Sequence, residues 1–262
     1  MPSTYRFLTY EIRGRIAYVT LNRPEVLNAL HPPLVQELDA VWTDFINNPA
    51  AWVAILTGAG ERAFCAGSDL KYRVTEADEK LLRNPNRDRR HILERCYKPV
   101  IAAINGYAVG GGLELALHCD ILVAAEHAQF GLPEPRRGLL ADEGGVIQLP
   151  RRLPYHLAMG FILTGSLISA SEAYRIGLVN QVVPMQELMA TAERWAAEIL
   201  ECAPLSVQAA KQVILDTRDL PAVEAVQRIE DVEAVRRLRA SQDYAEGPKA
   251  FAEKRKPQWQ GK

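Results

Sequence analysis

The segment PVIAAINGYAVGGGLELALHCDILVAA, Pro99 to Ala125, decides the fold. It is apolar enough to raise the question of a membrane span, which needs roughly 20 mainly apolar residues. Asn105, four glycines, Glu114 and Asp120 are wrong for lipid and right for a buried strand, a turn and a helix in succession. VIAAING then reads as a strand, GGGLELALHC as a glycine-led helix and DILVAA as the next strand.

The same alternation extends outward. IAYVTLN (Ile16 to Asn22) precedes RPEVLNAL and a helical PPLVQELDAVWTDFIN; WVAILTG (Trp52 to Gly58) precedes AGERAFCAGSDL; DILVAAEHAQFG (Asp120 to Gly131) leads into LPEPRRGLLADEGG. Strands alternating with helices predict an α/β fold with a largely parallel sheet. From about Leu153 onward the pattern is helical. Ser169 and Glu172 have capping-box spacing before a short helix that Gly177 stops, and Leu188, Trp195 and Ile199 share one face of the next. Pro204 and Pro221 open two further helices, APLSVQAAKQVIL and PAVEAVQRIEDVEAVRRLRA. The division is therefore a core over residues 1–200 and a helical region over 201–262, whose amphipathic faces need the core or another copy of the chain to cover them. Within the core, Tyr72 to Leu93 is rich in both charge signs and interrupted by Pro85, as suits a solvated loop, an exposed helix or the wall of a binding site.

Composition narrows the function. With 262 residues, 48% of them hydrophobic, the chain can bury a full core, and a formal net charge of -1 provides no general basic surface for nucleic acid or anionic membrane. No G-x-x-x-x-G-K-[ST] pattern occurs and the glycine clusters do not fit G-x-G-x-x-G, which removes the main support for nucleotide readings. The four cysteines, Cys65, Cys96, Cys119 and Cys202, form no C-x-x-C pair, and the five histidines have no ligand spacing. Reduced thiols and no metal are expected. The opening MPSTYRFLTYEIRGR has no apolar run of signal-peptide length, so the expected compartment is the cytoplasm.

The candidate chemistry gathers around the glycines. Gly110, Gly111 and Gly112 precede a helical run, so their amides lie near a helix N-terminus, where a negative oxygen is stabilised. In AFCAGSDL, Gly67 allows close backbone approach and the Ser68 amide is a second donor; two such amides would make an oxyanion hole. The same glycines also suit tight turns and close helix-strand packing, and spacing alone does not choose. Glu114 lies one turn into the helix. Glu134, 20 residues on in FGLPE, follows the next strand and can return to the same end of the sheet. Two carboxylates facing one pocket can divide proton duties when their surroundings separate their pKa values. Taken singly, each also suits a surface or capping position. Asp142, in LLADEGG, is a third acid or a loop residue before Gly144. Cys65 and Cys119 have no histidine placed beside them as a base and read as packing residues.

Several of these stretches together resemble the enoyl-CoA hydratase/isomerase, or crotonase, superfamily: AFCAGSDL, IAAINGYAVGGGLELALHCDI and QFGLPEPRRGLL, with LNRPEVLNAL before them and ILTGSLISASEAYRIGLVNQVV and GPKAFAEKRKPQW after. The resemblance covers nearly the whole chain. It implies a spiral of repeated β-β-α units with a C-terminal helical trimerisation region, and homotrimers commonly paired into hexamers. Ser68 and Gly111 match the oxyanion-hole amides, and Ala66 with Ser68, Asp69, Leu70 and Lys71 match positions along the coenzyme A path. Lys254 and Lys256, in the tail FAEKRKP, match a segment that carries basic groups towards the nucleotide of coenzyme A.

Glu114 and Glu134 match the two catalytic glutamates of the hydratases, and having both favours water addition across the 2,3 double bond of a trans-2-enoyl-CoA. Coenzyme A is then part of the substrate and no separate cofactor is implied. Asp142 keeps other readings open, because a Glu, Glu, Asp set at these positions also resembles dienoyl-CoA isomerases and carnitinyl-CoA dehydratases. A thioester hydrolase and a non-catalytic coenzyme A-binding protein complete the alternatives; the paired glutamates speak against the last. Acyl chain length and pathway, whether fatty-acid oxidation, aromatic degradation or carnitine metabolism, have no motif that reads them.

Overall fold

A computed structural model describes residues 5–72 and 91–262, so most of the charged Tyr72 to Leu93 segment lies outside the described residues. Strands β1 (Leu8–Arg13) and β2 (Ile16–Leu21) form an antiparallel hairpin, and β2 then pairs in parallel with β3 (Val53–Gly58). From β3 onward the chain distributes its strands between two sheets. β4 (Ala63–Cys65) starts a smaller sheet, β5 (Val100–Ile104) returns to the larger one beside β3, and β6 (Tyr107–Val109) joins β4. β7 (Ile121–Ala125) and β8 (Gln129–Gly131) repeat that step, pairing Ile101 with Ile121 and Ala108 with Phe130. β9 (Ile168–Ser169) closes the smaller sheet and β10 (Gln181–Val183) the larger. Each repeat thus advances both sheets by one strand, which is the expected spiral of β-β-α units.

The larger sheet is covered on both faces, which explains why its strands read as unbroken apolar runs. Val53, Ile55, Ile101, Ala103 and Val123 point to one side, against Leu188, Ala192 and Ala196. Trp195 and Ile199 join them, as the shared helical face predicts. The alternate residues Ala54, Leu56, Ala102, Ile104 and Leu122 point to the other side, where Phe64 and Phe130 of the smaller sheet meet helix α1 (Pro32–Asn47) through Leu34, Leu38, Trp42 and Phe45. Helix α2 (Gly111–Leu117) follows β6 and buries Leu113 and Leu117 in the same cluster. Helices α3 (Gly145–Arg152) and α4 (Tyr155–Thr164) come next. In α5 (Ala170–Arg175) the Ser169 side chain accepts from Glu172 N at 3.2 Å, and Gly177 takes φ +79 two residues past the end, as the spacing predicts.

After α6 (Leu188–Leu200) the chain is helical: α7 (Pro204–Thr217), α8 (Ala222–Arg228), α9 (Glu233–Arg239) and α10 (Gln242–Ala252). The stretch from Pro221 to Ala240 is not one helix. Val232 turns extended (φ -70, ψ 124) so that its side chain can pack on Ala209 and Val235, and Gln212 accepts from Ala234 N at the start of the new helix. Local periodicity is continuous across this break, and tertiary burial overrides it. Lys211 ties α7 to the core, donating to Asp120 Oδ2 at 2.6 Å and to Lys98 O at 3.0 Å.

Two buried asparagines hold the β3–β4 connection. Asn105 Nδ2 lies 2.8 Å from Gly58 O and 2.7 Å from Gly60 O, while its Oδ1 accepts from Gly58 N at 3.1 Å. Asn28 donates to Ala59 O and Ala63 O. A buried polar group left without its partner costs ~1–3 kcal/mol. Asn105→Leu, close in size but unable to hydrogen-bond, is therefore expected to lower stability by about 2–4 kcal/mol in urea unfolding; a loss below about 1 kcal/mol would show that the connection is held by something else.

Candidate active site

Beyond β4 the chain bends at Gly67 (φ +86), and Leu30 clamps the bend. Leu30 N donates to Gly67 O at 2.8 Å, and Asp69 N donates to Leu30 O at 2.7 Å. In such a parallel bridge the intervening amide, that of Ser68, faces away from Leu30. It faces α2. A Cβ added to Gly111 would stand 3.8 Å from Ser68 N, and one added to Gly67 would stand 3.1 Å from Gly111 N. The Gly111 amide is the first of α2 and has no partner within the helix. Two N–H groups from different elements therefore border one small space, at the positive end of a helix.

The three glycines have separate reasons. Gly110 takes φ +58, and a Cβ there would meet Glu134 Oε1 at 2.6 Å. Gly111 contributes the amide. Gly112 lets α2 press onto β4 so closely that a Cβ would fall 2.0 Å from Cys65 O. The triplet thus packs closely at Gly112 and leaves the Gly111 amide without a partner inside the helix.

Glu134 reaches this space at Gly110, and Glu114 stands one turn into α2, close enough to feel the charge of Glu134. Glu114 is 4% exposed, and its Oε1 accepts from Gly145 N at 2.8 Å. Burial pushes its pKa up to about 7 against the hydrogen bond from Gly145, with help from the charges of Glu134, Glu143 and Asp142. Glu134 sits at the start of a 3-10 turn (Glu134–Arg137) that follows β8. Its pKa is raised mainly by burial, opposed by its own backbone amide and by Arg137 and assisted by Asp142. Glu134 Oε2 is buried without a hydrogen-bond partner among the described residues. Asp142 itself is exposed on the turn before α3, and its charge is felt by both glutamates.

The remaining candidates divide. Ser68, Leu70 and Lys71 are exposed on the rim, and Ala66 is half-buried with its N–H on Leu27 O. The Asp69 carboxylate is committed inward: it accepts from Arg23 at 2.9 Å and from Lys71 N at 3.2 Å, and the Arg23 guanidinium, opposing burial, holds its pKa down. Lys254 and Lys256 are exposed in the tail, while Arg255 between them pairs with Glu246. Cys65 and Cys119 are fully enclosed, and burial pushes the Cys65 thiol up to about 12, so neither offers a thiolate. No group of three or more His, Cys, Asp or Glu able to hold a metal ion is found among the described residues, and no helix among them is long and apolar enough to cross a membrane.

Sequence reading missed the frame behind the Ser68 amide. Leu27 and Asn28 both take left-handed backbone (φ 57 and 55), a conformation that costs a leucine of order 1 kcal/mol or more. This corner delivers Leu27 O to Ala66 N and the Leu30 backbone to Gly67 and Asp69, and Arg23 adds a bond from its NH1 to Ala29 O. Asn28, a residue that tolerates such a corner, was the available signal. His118 was missed as well; its Nε2 lies 3.3 Å from Glu143 O, on the turn that carries Gly145.

Known proteins carry the same architecture. Residues 11–262 match the family model for enoyl-CoA hydratase/isomerase. An (E)-benzylidenesuccinyl-CoA hydratase from Thauera aromatica is 44% identical over 97% of this chain and 99% of its own length. A carnitinyl-CoA dehydratase from Proteus mirabilis is 41% identical over 95% and 97%. Among solved structures, an enoyl-CoA hydratase from Bacillus anthracis superposes with a TM-score of 0.90 at 36% identity, covering 98% of this chain and all of that one. The matches in sequence and in fold span almost the whole chain: it belongs to the enoyl-CoA hydratase/isomerase family, whose members act on acyl-CoA thioesters.

Proposed function

We propose that the protein adds water across the 2,3 double bond of a trans-2-enoyl-CoA. The observation that carries this reading is the approach of Glu134 to Gly110, next to the Gly111 amide, with the buried Glu114 one turn further along the same helix. The thioester oxygen would accept from Ser68 N and Gly111 N. As Glu114 takes a proton from water, the water oxygen bonds to C3 and the C2=C3 electron pair moves onto the thioester oxygen as an enolate. The amides stabilise that charge more than the ground-state carbonyl, which is what lowers the barrier. The enolate collapses as C2 takes the Glu134 proton, and exchange with solvent resets both acids.

The environments suit those tasks. Gly145 orients Glu114 and supports its ionised form, while burial keeps its proton affinity near neutrality. Glu134 Oε2, with no partner among the described residues, would direct a proton at substrate. Ala66, Leu70 and Lys71 would line the coenzyme A path, with Asp69 serving it through its backbone. Lys254 and Lys256 would approach the nucleotide. The relatives named carnitinyl-CoA dehydratase favour one second reading, since dehydration is the same bond change run backwards and Asp142, exposed on the turn before α3, would be a third acid for a polar substrate.

The C-terminal helices leave Val223, Val226 and Phe251 largely exposed. We read these as contacts of a homotrimer, alone or paired into a hexamer; light scattering on the purified chain is expected to give three or six times the 29.2 kDa mass, and a monomer would remove this part.

Two results test the chemistry. With crotonyl-CoA, followed by loss of the conjugated enoyl absorbance, wild type is expected to turn over and Glu134→Gln to lose ~10²–10⁴-fold in kcat with its fold intact; an unimpaired variant removes Glu134 as the proton source. Glu114→Gln has the opposite signature in stability. Glu114 ionises near 4.5 when unfolded but about 7 when folded, so stability is undiminished below pH 4.5 and falls as pH rises towards 7. The shift corresponds to on the order of 3 kcal/mol. Glu114→Gln, inactive but uncharged and still able to accept from Gly145, is expected to melt above wild type at pH 8, with the gap closing by pH 4.5. Equal melting at pH 8 would mean that the carboxylate is not penalised by burial.

A further inference from the structure

Helix α2 presents Gly111 at its first turn and Glu114 in its middle, and it ends on a histidine that the proposed chemistry does not use. His118 is 9% exposed at the C-cap of α2. Its Nε2 faces Glu143 O at 3.3 Å, and because a carbonyl can only accept, that nitrogen carries the hydrogen. Two residues further on, Gly145 N donates to Glu114 Oε1. The intervening Gly144 has left-handed backbone (φ +119), and a Cβ there would stand 3.4 Å from His118 Nε2, so ring and turn are in contact.

The ring is itself held from behind. His91 stacks on it with centroids 4.3 Å apart and planes 6° from parallel, and Glu94 Oε1 lies 3.6 Å from His118 Nδ1. Burial, together with the charges of Arg152 and Arg218, disfavours protonation of His118, while Glu143 O and Glu94 oppose that trend. His91 accepts from Leu93 N, and burial lowers its pKa to about 3, so the stack stays uncharged on that side. A neutral Nε2–H imidazole stacked on His91 is a rigid donor, and its Nδ1, which then carries no hydrogen, makes no bond to Glu94.

We propose that His118 is a positioning residue for the active site: by holding Glu143 O it sets the 141–145 turn, and through Gly145 N it sets the orientation of Glu114. The same turn carries Asp142, so one imidazole fixes the relation between α2 and two acids of the site. This rests on the hydratase reading for its kinetic consequence and not for its structural one. A misplacement of a reacting group by about 1 Å costs up to ~10²-fold in rate.

The test uses full-length His118→Phe, which keeps the stacked ring and loses the donor, and His118→Gln, whose amide nitrogen can reach the same carbonyl. Hydrogen exchange over residues 141–146 is expected to quicken in His118→Phe, with kcat on crotonyl-CoA down ~10–100-fold and KM within about twofold, and His118→Gln should recover most of both. Unchanged exchange and kcat in a folded His118→Phe would overturn the proposal. If wild type hydrates no enoyl-CoA, the function reading fails while the exchange comparison still decides the role of His118. Should His118→Phe not fold, selectively 15N-labelled histidine in wild type decides it: a slowly exchanging Nε2–H tautomer is expected, and an Nδ1–H tautomer overturns the proposal.

Discussion

The close approach of α2 to β4 is the constraint on which the rest of the site depends. A methyl group at Gly112 would lie 2.0 Å from Cys65 O, so any larger residue pushes the helix off the strand. At the observed contact, the first amide of α2 reaches the neighbourhood of the Ser68 amide, although the two belong to different repeats of the spiral. Neither donor is built by a local motif alone. Each is an end left over by regular structure, one at a helix N-terminus and one at a β-bridge, and the packing distance makes them a pair.

The same constraint explains why a glutamate is tolerated in the most apolar part of the chain. Glu114 follows Gly111 by three residues, nearly one helical turn, so whatever brings Gly111 to the cavity brings Glu114 to its edge. Its one backbone donor among the described residues, Gly145, comes from an element 31 residues away. A carboxyl with one such partner and little water is not fully compensated, and its affinity for a proton rises towards neutrality. Full satisfaction by several donors would have fixed it as a permanent carboxylate. The imperfection is what leaves it able to exchange a proton near neutral pH.

What could be read from the sequence follows the range of the physics. Strand runs from Val53 to Ala125 were legible because both faces of the larger sheet are buried, which removes polar alternation from all of them. The Ser169 cap and the proline-led α7 and α8 were legible because caps are local. Glu114, Glu134, Ser68 and Gly111 could be named, through motif order and resemblance, but their relation could not be seen, since it depends on how two sheets stack. Arg23 and His118 were invisible for the same reason. Arg23 acts on Asp69 across 46 positions and His118 on Glu143 across 25, with no periodicity linking either pair. The break at Val232 went unseen because a helical pattern continues through it.

The frame around the Ser68 amide shows where stability is exchanged for placement. Two consecutive residues, Leu27 and Asn28, sit in left-handed backbone, and only the asparagine suits it. The strain is offset by the bonds the corner makes possible: Asn28 to Ala59 and Ala63, Leu27 O from Ala66, and the Leu30 bridge. A relaxed corner would move Leu30 and release Gly67, and the Ser68 amide would then turn with its own peptide plane. Arg23 guards against that motion from the far side, because its pair with Asp69 is nearly enclosed, with side-chain exposures of 11% and 12%. Breaking one partner of an enclosed pair leaves a charge without compensation, which costs far more than the pair contributes when intact. The two residues that follow Gly67 are thus locked by opposite means, Ser68 by a backbone bridge that leaves its amide free and Asp69 by an ion pair that leaves its carboxylate none.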